Sequence, residues 1–257
     1  MNKLIMLLVF IFSSTVLYSG IKFGPAYTEV SLQPGTEVKR SIYIENTYNY
    51  DINLKCFVQD FKKSRINKTA YKDWLKLEFN KENIVVKANS KKKLYYRIKL
   101  PKSFSGEASA KISFVKGHSG GTGINTKMSV AVYAISKNNS YIGADIKNFL
   151  CKLTNNRLSC KFKLTNTGNI HIRPEGYISV FNKKKMLIKK IIISKQYPLF
   201  EGDSFILSAS GSFINKGENL FLFKVRLFLG YNKSFYIEKQ YKVKIANNIV
   251  RYVRELK

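Results

Sequence analysis

Residues 33–46 read Gln33-Pro34-Gly35-Thr36-Glu37-Val38-Lys39-Arg40-Ser41-Ile42-Tyr43-Ile44-Glu45-Asn46. Pro34-Gly35 presets a tight reversal, because proline fixes φ and glycine accepts a positive φ. Beyond it Ser41 to Asn46 alternates, with Ile42 and Ile44 on one face, the period of two of a half-buried strand. The same alternation returns at 93–100, where Leu94, Tyr96, Ile98 and Leu100 share a face. Working outward, the first half predicts strands near 25–32, 38–46, 52–60, 84–88, 91–100, 107–116 and 124–135. The second half predicts strands near 142–153, 157–166, 172–181, 186–194, 203–213, 219–230 and 234–245. Only the last eleven residues hint at a helical period. Short strands at regular spacing argue for sandwiches and against a βαβ fold. The expected fold class is therefore all-β: two tandem immunoglobulin-like β-sandwich domains.

The N-terminus sets the expected compartment. Lys3 precedes an apolar run from Leu4 to Leu17, broken only by Ser13, Ser14 and Thr15, and Tyr18-Ser19-Gly20 follows. This pattern predicts a secretory signal peptide over residues 1–20, and hence a periplasmic or secreted protein. The run is shorter than the roughly 20 residues that span a bilayer, and no later segment is long and apolar enough. The expected domains are 21–137 and 141–246, joined at Ser136-Lys137-Asn138-Asn139-Ser140, with 247–257 as a small charged tail. Residues 62–75 read as a polar loop ending at Trp74, which covers one end of the core.

The net charge is +29. Charge of that size draws polyanions. Here the lysines are scattered along every strand, with short clusters only at Lys91-Lys92-Lys93 and Lys183-Lys184-Lys185, both read as turns. That distribution, in an exported chain, argues against nucleic acid; an anionic envelope polymer remains as a partner class.

Three cysteines occur. If Asn155-Asn156 forms a two-residue hairpin turn, whose positive φ asparagine tolerates, Cys151 faces Cys160 at a non-hydrogen-bonded position. The Cα atoms then approach to about 4.5 Å, inside the range a disulfide accepts. This favours a Cys151–Cys160 disulfide over two free buried thiols. Cys56, mid-strand, is left over as a buried small hydrophobe or an intermolecular bridge.

Chemistry is not evident. His118-Ser119-Gly120-Gly121-Thr122-Gly123 lacks the Lys-Ser/Thr of a phosphate loop and reads as a hairpin loop. His171, beside Arg173, reads as a surface or satisfied histidine. No nucleophile elbow or zinc-protease helix occurs, and no carboxylate pairing for acid–base work is visible. The expectation is a binding protein with no enzymatic activity, cofactor or metal.

Several segments resemble bacterial periplasmic chaperones of the pilus-assembly type. They are Gly24-Pro25, Val30-Ser31-Leu32-Gln33-Pro34-Gly35, Ile42-Tyr43-Ile44-Glu45-Asn46-Thr47, Leu100-Pro101, Ser105-Gly106-Glu107, Ile112-Ser113-Phe114 and Asn166-Thr167-Gly168-Asn169-Ile170-His171-Ile172-Arg173-Pro174-Glu175-Gly176. The resemblance implies a chaperone that binds a β-rich subunit by strand addition during assembly of a surface structure. The alternative is a structural or adhesive envelope component. It also implies a partner-binding strand at 124–135 bearing Lys127, Met128, Val130 and Val132, with Met128, Val130, Val132 and Ala134 on one face. Such chaperones grip a terminal carboxylate with an Arg on the first strand and a Lys on the last strand of domain one. Those positions fall near Tyr27 and Ala131, so the pair is absent; Lys127 is a neighbouring cation.

Overall fold

The structure is a computed structural model that describes residues 20–60, 69–116, 126–215, 220–230, 235–246 and 249–256. The expected signal peptide, up to residue 19, and the loop His118–Gly123 lie outside the described residues. The chain divides into two compact units. Of the described residues, those from 20 to 60, 69–102 and those between 109 and 134 make the first; 103–108 and those from Ile135 onward belong to the second.

The first stretch of chain gives β1 (Ile21–Gly24), β2 (Tyr27–Leu32), β3 (Glu37–Asn46) and β4 (Ile52–Asp60). A 3-10 turn over Tyr71–Asp73 leads into β5 (Leu75–Leu77), β6 (Ile84–Val86), β7 (Ser90–Lys99), β8 (Glu107–Lys116) and β9 (Thr126–Ser136). One sheet has the order β1-β3-β7-β5 and the other β2-β9-β8-β4-β6. The strand expected at 25–32 is β2, and an additional strand, β1, precedes it: β1 pairs with β3, β2 joins β9, and the Gly24–Pro25 peptide between them is cis. The alternation of the quoted stretch becomes burial. Ile42 and Ile44 are fully buried, as are Tyr96, Ile98 and Leu100, and Ile42 stands opposite Leu94. Trp74 is buried, as expected. The loop ascribed to 62–75 is corrected in its last part, where Tyr71–Asp73 turns and Leu75 begins the strand that edges β7. Lys91, Lys92 and Lys93 sit inside β7, not in a turn, because their backbone pairs with Glu45, Ile44 and Tyr43 of β3 while their side chains stay exposed.

The second unit contains β10 (Ala144–Thr154), β11 (Arg157–Asn166), β12 (Glu175–Phe181), β13 (Leu187–Ile193), β14 (Ser204–Ser212), β15 (Leu220–Phe228), β16 (Tyr236–Ala246) and β17 (Ile249–Leu256). A three-stranded sheet, β10-β11-β14, faces a five-stranded sheet, β13-β12-β15-β16-β17. Between them lies a core that includes Phe162, Phe223, Val225 and Val243. The expected charged tail is corrected: residues 249–256 form β17, paired antiparallel with β16. Its apolar Val250 and Val253 pack against the core, which a solvated tail would not do.

Both units close a strand with the same device. Asn46 ends β3 and Asn166 ends β11, and both are fully buried. Asn46 Nδ2 donates to the carbonyls of Tyr50 (2.8 Å) and Val86 (3.1 Å), while Tyr48 N–H donates to Asn46 Oδ1 (3.0 Å). Asn166 Nδ2 donates to the carbonyls of Ile170 and Leu199, each at 2.8 Å, and Gly168 N–H donates to Asn166 Oδ1 (2.8 Å). A short amide can satisfy a donor and carbonyls at a buried chain reversal at once, where unpaired groups would each be costly.

Candidate partner-binding strand

The register of β8 against β9 follows from two contacts. Ser136 N–H donates to the Gly106 carbonyl (2.9 Å), and the Ser113 and Ser129 hydroxyls are hydrogen-bonded at 2.9 Å. Both contacts give one antiparallel alignment, with Ile112 opposite Val130, Phe114 opposite Met128 and Lys111 opposite Ala131. Met128, Val130, Val132 and Ala134 face inward and are buried. Their face fills the core of this chain, so those side chains are not available to a partner. Lys127 is exposed and Ser129 and Ala131 are half-buried on the opposite face.

The outer edge of β9 is only partly taken. Ala131 N–H donates to the Ala26 carbonyl (3.2 Å), at the point where β2 begins. Ala131 is midway along the eleven residues of β9, so six-residue β2 can lie along only one half. The exit of β2 is held by Gly35 N–H donating to the Leu100 carbonyl (2.8 Å). Leu100 leads within a short segment to Gly106, the partner of Ser136. β2 therefore heads toward the Ser136 end. Beside Thr126–Val130 no strand lies among the described residues.

Backbone groups alternate between the two edges of a strand. Since Ala131 N–H points to the outer edge, the N–H and C=O groups of Lys127 and Ser129 point there too. Those of Met128 and Val130 point to β8. The sequence reading put the weight on Val130; the donors on the open edge belong to Lys127 and Ser129. Around them the outward face carries Lys55 opposite Val115, and Phe57 opposite Ser113. Phe57 is half exposed. Lys111 was also missed from sequence: it stands directly across from Ala131, one strand away from the position where the resemblance expects a cation.

In the second unit, Asn155 and Asn156 have φ of 48° and 56°. They close a hairpin in which Thr154 pairs with Arg157 and Cys151 with Cys160. The two cysteines form a disulfide across Cα atoms 4.1 Å apart. Cys56 is free and buried, and burial pushes its thiol up to about 12. A thiol so placed is no nucleophile at neutral pH.

His171 is not on the surface. Its Nδ1 lies 2.5 Å from Glu107 Oε2, its backbone N–H donates to the same oxygen (3.1 Å), and both side chains are buried. A carboxylate 64 residues away in sequence left no signal of this pairing in the sequence. Among the described residues no group of three or more His, Cys, Asp and Glu side chains could hold a metal ion. No helix among them is long and apolar enough to cross a membrane.

No protein-family model matches the chain, and no curated protein matches it in sequence. Solved structures do match. A class 5 fimbriae chaperone, CfaA, superposes with a TM-score of 0.52 at 9% identity, covering 86% of this chain and 98% of that one. A chain from a chaperone–tip adhesin complex of CFA/I fimbriae superposes with a TM-score of 0.50 at 12% identity, covering 86% and 98%. At such identities the likeness is one of fold: this chain has the two-domain immunoglobulin-like architecture of the fimbrial periplasmic chaperones.

Proposed function

We propose that this chain is a chaperone-like protein of the periplasm that binds a β-rich protein subunit by accepting a strand on the outer edge of β9, at Thr126–Val130. The observation that carries this reading is the half-open edge: β2 begins only at Tyr27, beside Ala131, and the Lys127 and Ser129 backbone groups short of it have no neighbouring strand among the described residues. An exposed edge is a template that soluble proteins normally blunt. Here Lys127 is the one charge in β9. Strand addition supplies main-chain hydrogen bonds for affinity and leaves side chains to set specificity. Because Met128, Val130 and Val132 are committed to the chain's own core, recognition falls to the backbone edge and to the outward face bearing Phe57, Lys111 and Lys127. The matched CFA/I chaperone was solved with a tip adhesin, which supports a subunit as the partner class. The same reading makes the chain a binding protein and not a catalyst.

A photo-crosslinking residue at Lys127, in protein expressed in the source cell, tests this. The expected result is one defined β-rich partner crosslinked at Lys127, and loss of its capture in a folded Ser129→Pro variant. Capture of that partner by Ser129→Pro at undiminished yield would overturn strand addition.

A further inference from the structure

The outer face of the three-stranded sheet in the second unit is the other uncommitted surface. We infer that this face, on β10, β11 and β14, binds a linear acidic polysaccharide, with lysines taking its anionic groups and serines its hydroxyls. A shallow groove of about 620 Å³ runs across it, lined on the outside by Leu150, Lys152, Ser159, Lys161, Ser208 and Ser210. The pairing sets two rows across the sheet, Lys152–Ser159–Ser210 and Leu150–Lys161–Ser208. The Cys151–Cys160 bridge beneath fixes β10 to β11 under the groove.

Charge points to the occupant. Lys163 stands directly opposite Lys147 and two residues from Lys161, on the same face. Like charges facing each other across strands are destabilising. The one carboxylate on these strands, Asp145, is held by Lys147 and by Lys239, each at 3.3 Å. Lys152, Lys161 and Lys163 face no carboxylate among the described residues. Such a row is relieved by an external anion.

The remaining chemistry selects a glycan. Serine fills four of the five outward positions of β14 (Ser204, Ser208, Ser210 and Ser212), although serine packs poorly in strands. Arg157 is tied to Ser210, donating from Nη2 to Oγ at 2.7 Å, which orients that hydroxyl at the groove. Leu150 and Ile206, both more than half exposed on this face, offer apolar patches for sugar C–H faces. No aromatic side chain faces outward on the three strands, so there is no platform for nucleic-acid bases. A membrane-binding face would range large apolar side chains together to insert; here Leu150 lies in the row of Lys161 and Ile206 in the row of Lys147 and Lys163.

The probe is fluorescent polygalacturonate, titrated into the mature full chain at fixed ionic strength. Three variants are compared: Lys152→Gln/Lys161→Gln/Lys163→Gln on the face, Lys91→Gln/Lys92→Gln/Lys93→Gln elsewhere with the same charge change, and Ser208→Val/Ser210→Val without one. Thermal melts confirm that each is folded. The expected result is a loss of about tenfold or more for the face triple and a measurable loss for the serine pair, with the distant triple near wild type. Equal losses for the two lysine triples would reduce the effect to net charge and overturn the proposal. So would absence of polygalacturonate binding, or face-dependent binding to phosphatidylglycerol vesicles or duplex DNA in preference to polygalacturonate.

Discussion

Ala131 N–H donates to the Ala26 carbonyl across 3.2 Å, and this bond fixes which backbone groups of β9 face outward. Odd-numbered residues from Lys127 to Ala131 present N–H and C=O to the outer edge, and even-numbered ones serve the ladder to β8. Two adjacent proline substitutions should then behave oppositely. Val130→Pro removes a ladder donor and a fully buried side chain, and should cost roughly 3 kcal/mol or more. Ser129→Pro removes an outer-edge donor and the hydroxyl bond to Ser113, and should cost about 1 kcal/mol. Urea unfolding of the two variants measures the difference; equal costs would show that the edge parity is otherwise.

The two buried asparagines should be equally intolerant. Asn46→Ala and Asn166→Ala each strand buried carbonyls and one backbone N–H, and each should cost about 2–4 kcal/mol. Replacement by Asp loses the Nδ2 donations and buries a charge, so Asp should rescue neither. Chemical denaturation of the single variants reads this directly, and a cost below about 1 kcal/mol at either site would contradict the shared device.

The cysteines separate cleanly. Denatured, non-reduced protein should expose one thiol, Cys56, and folded protein should react slowly with iodoacetamide, because the thiol is buried and its pKa is pushed up to about 12. The Cys151–Cys160 bridge closes a loop with a sequence separation of only 9. Its removal in Cys151→Ala/Cys160→Ala should cost about 2–3 kcal/mol and leave the second unit folded. Three reactive thiols in the denatured, non-reduced protein would refute the pairing.

Acid should weaken the second unit through Glu238. Burial raises its carboxyl pKa, but hydrogen bonds from Arg226 and Lys224 pull it down further, for a net lowering. A folded-state pKa below the unfolded one means the stabilisation is present above the unfolded value, about 4.3, and is lost as pH falls through the folded value. Arg226 Nη2 lies 2.6 Å and Lys224 Nζ 3.2 Å from this carboxylate. Glu238→Gln should cost about 1 kcal/mol at neutral pH and little below pH 4. A cost that does not shrink on acidification, in melts from pH 7 to 3, would contradict this.

Much of the fold was legible because alternation and turn chemistry act locally. The Asn155-Asn156 turn gave the β10–β11 register from Thr154–Arg157 to Cys151–Cys160, short of the irregularity between Lys147 and Leu150, and Ile42, Ile44, Leu94 and Tyr96 were readable as core. Three kinds of feature were not. Short β1 and β5 carry too few residues for a period. β17 has Arg251, Arg254, Glu255 and Lys257 around it, and charge masked the apolar Val250 and Val253. Glu107 and His171 meet only through tertiary structure. At the candidate site, sequence showed that β9 alternates, but alternation fixes side chains and says nothing about which edge a neighbour occupies. That needed the Ala26–Ala131 bond.

Amide exchange at Lys127 and Ser129, followed residue by residue by NMR, tests the open edge most directly. In the free protein these two amides are expected to exchange fast while those of Met128 and Val130 are protected. With the crosslink-identified subunit at saturation, Lys127 and Ser129 should become protected as well. Fast exchange at both in the saturated complex, or protection at both in the free protein, would contradict strand addition at β9.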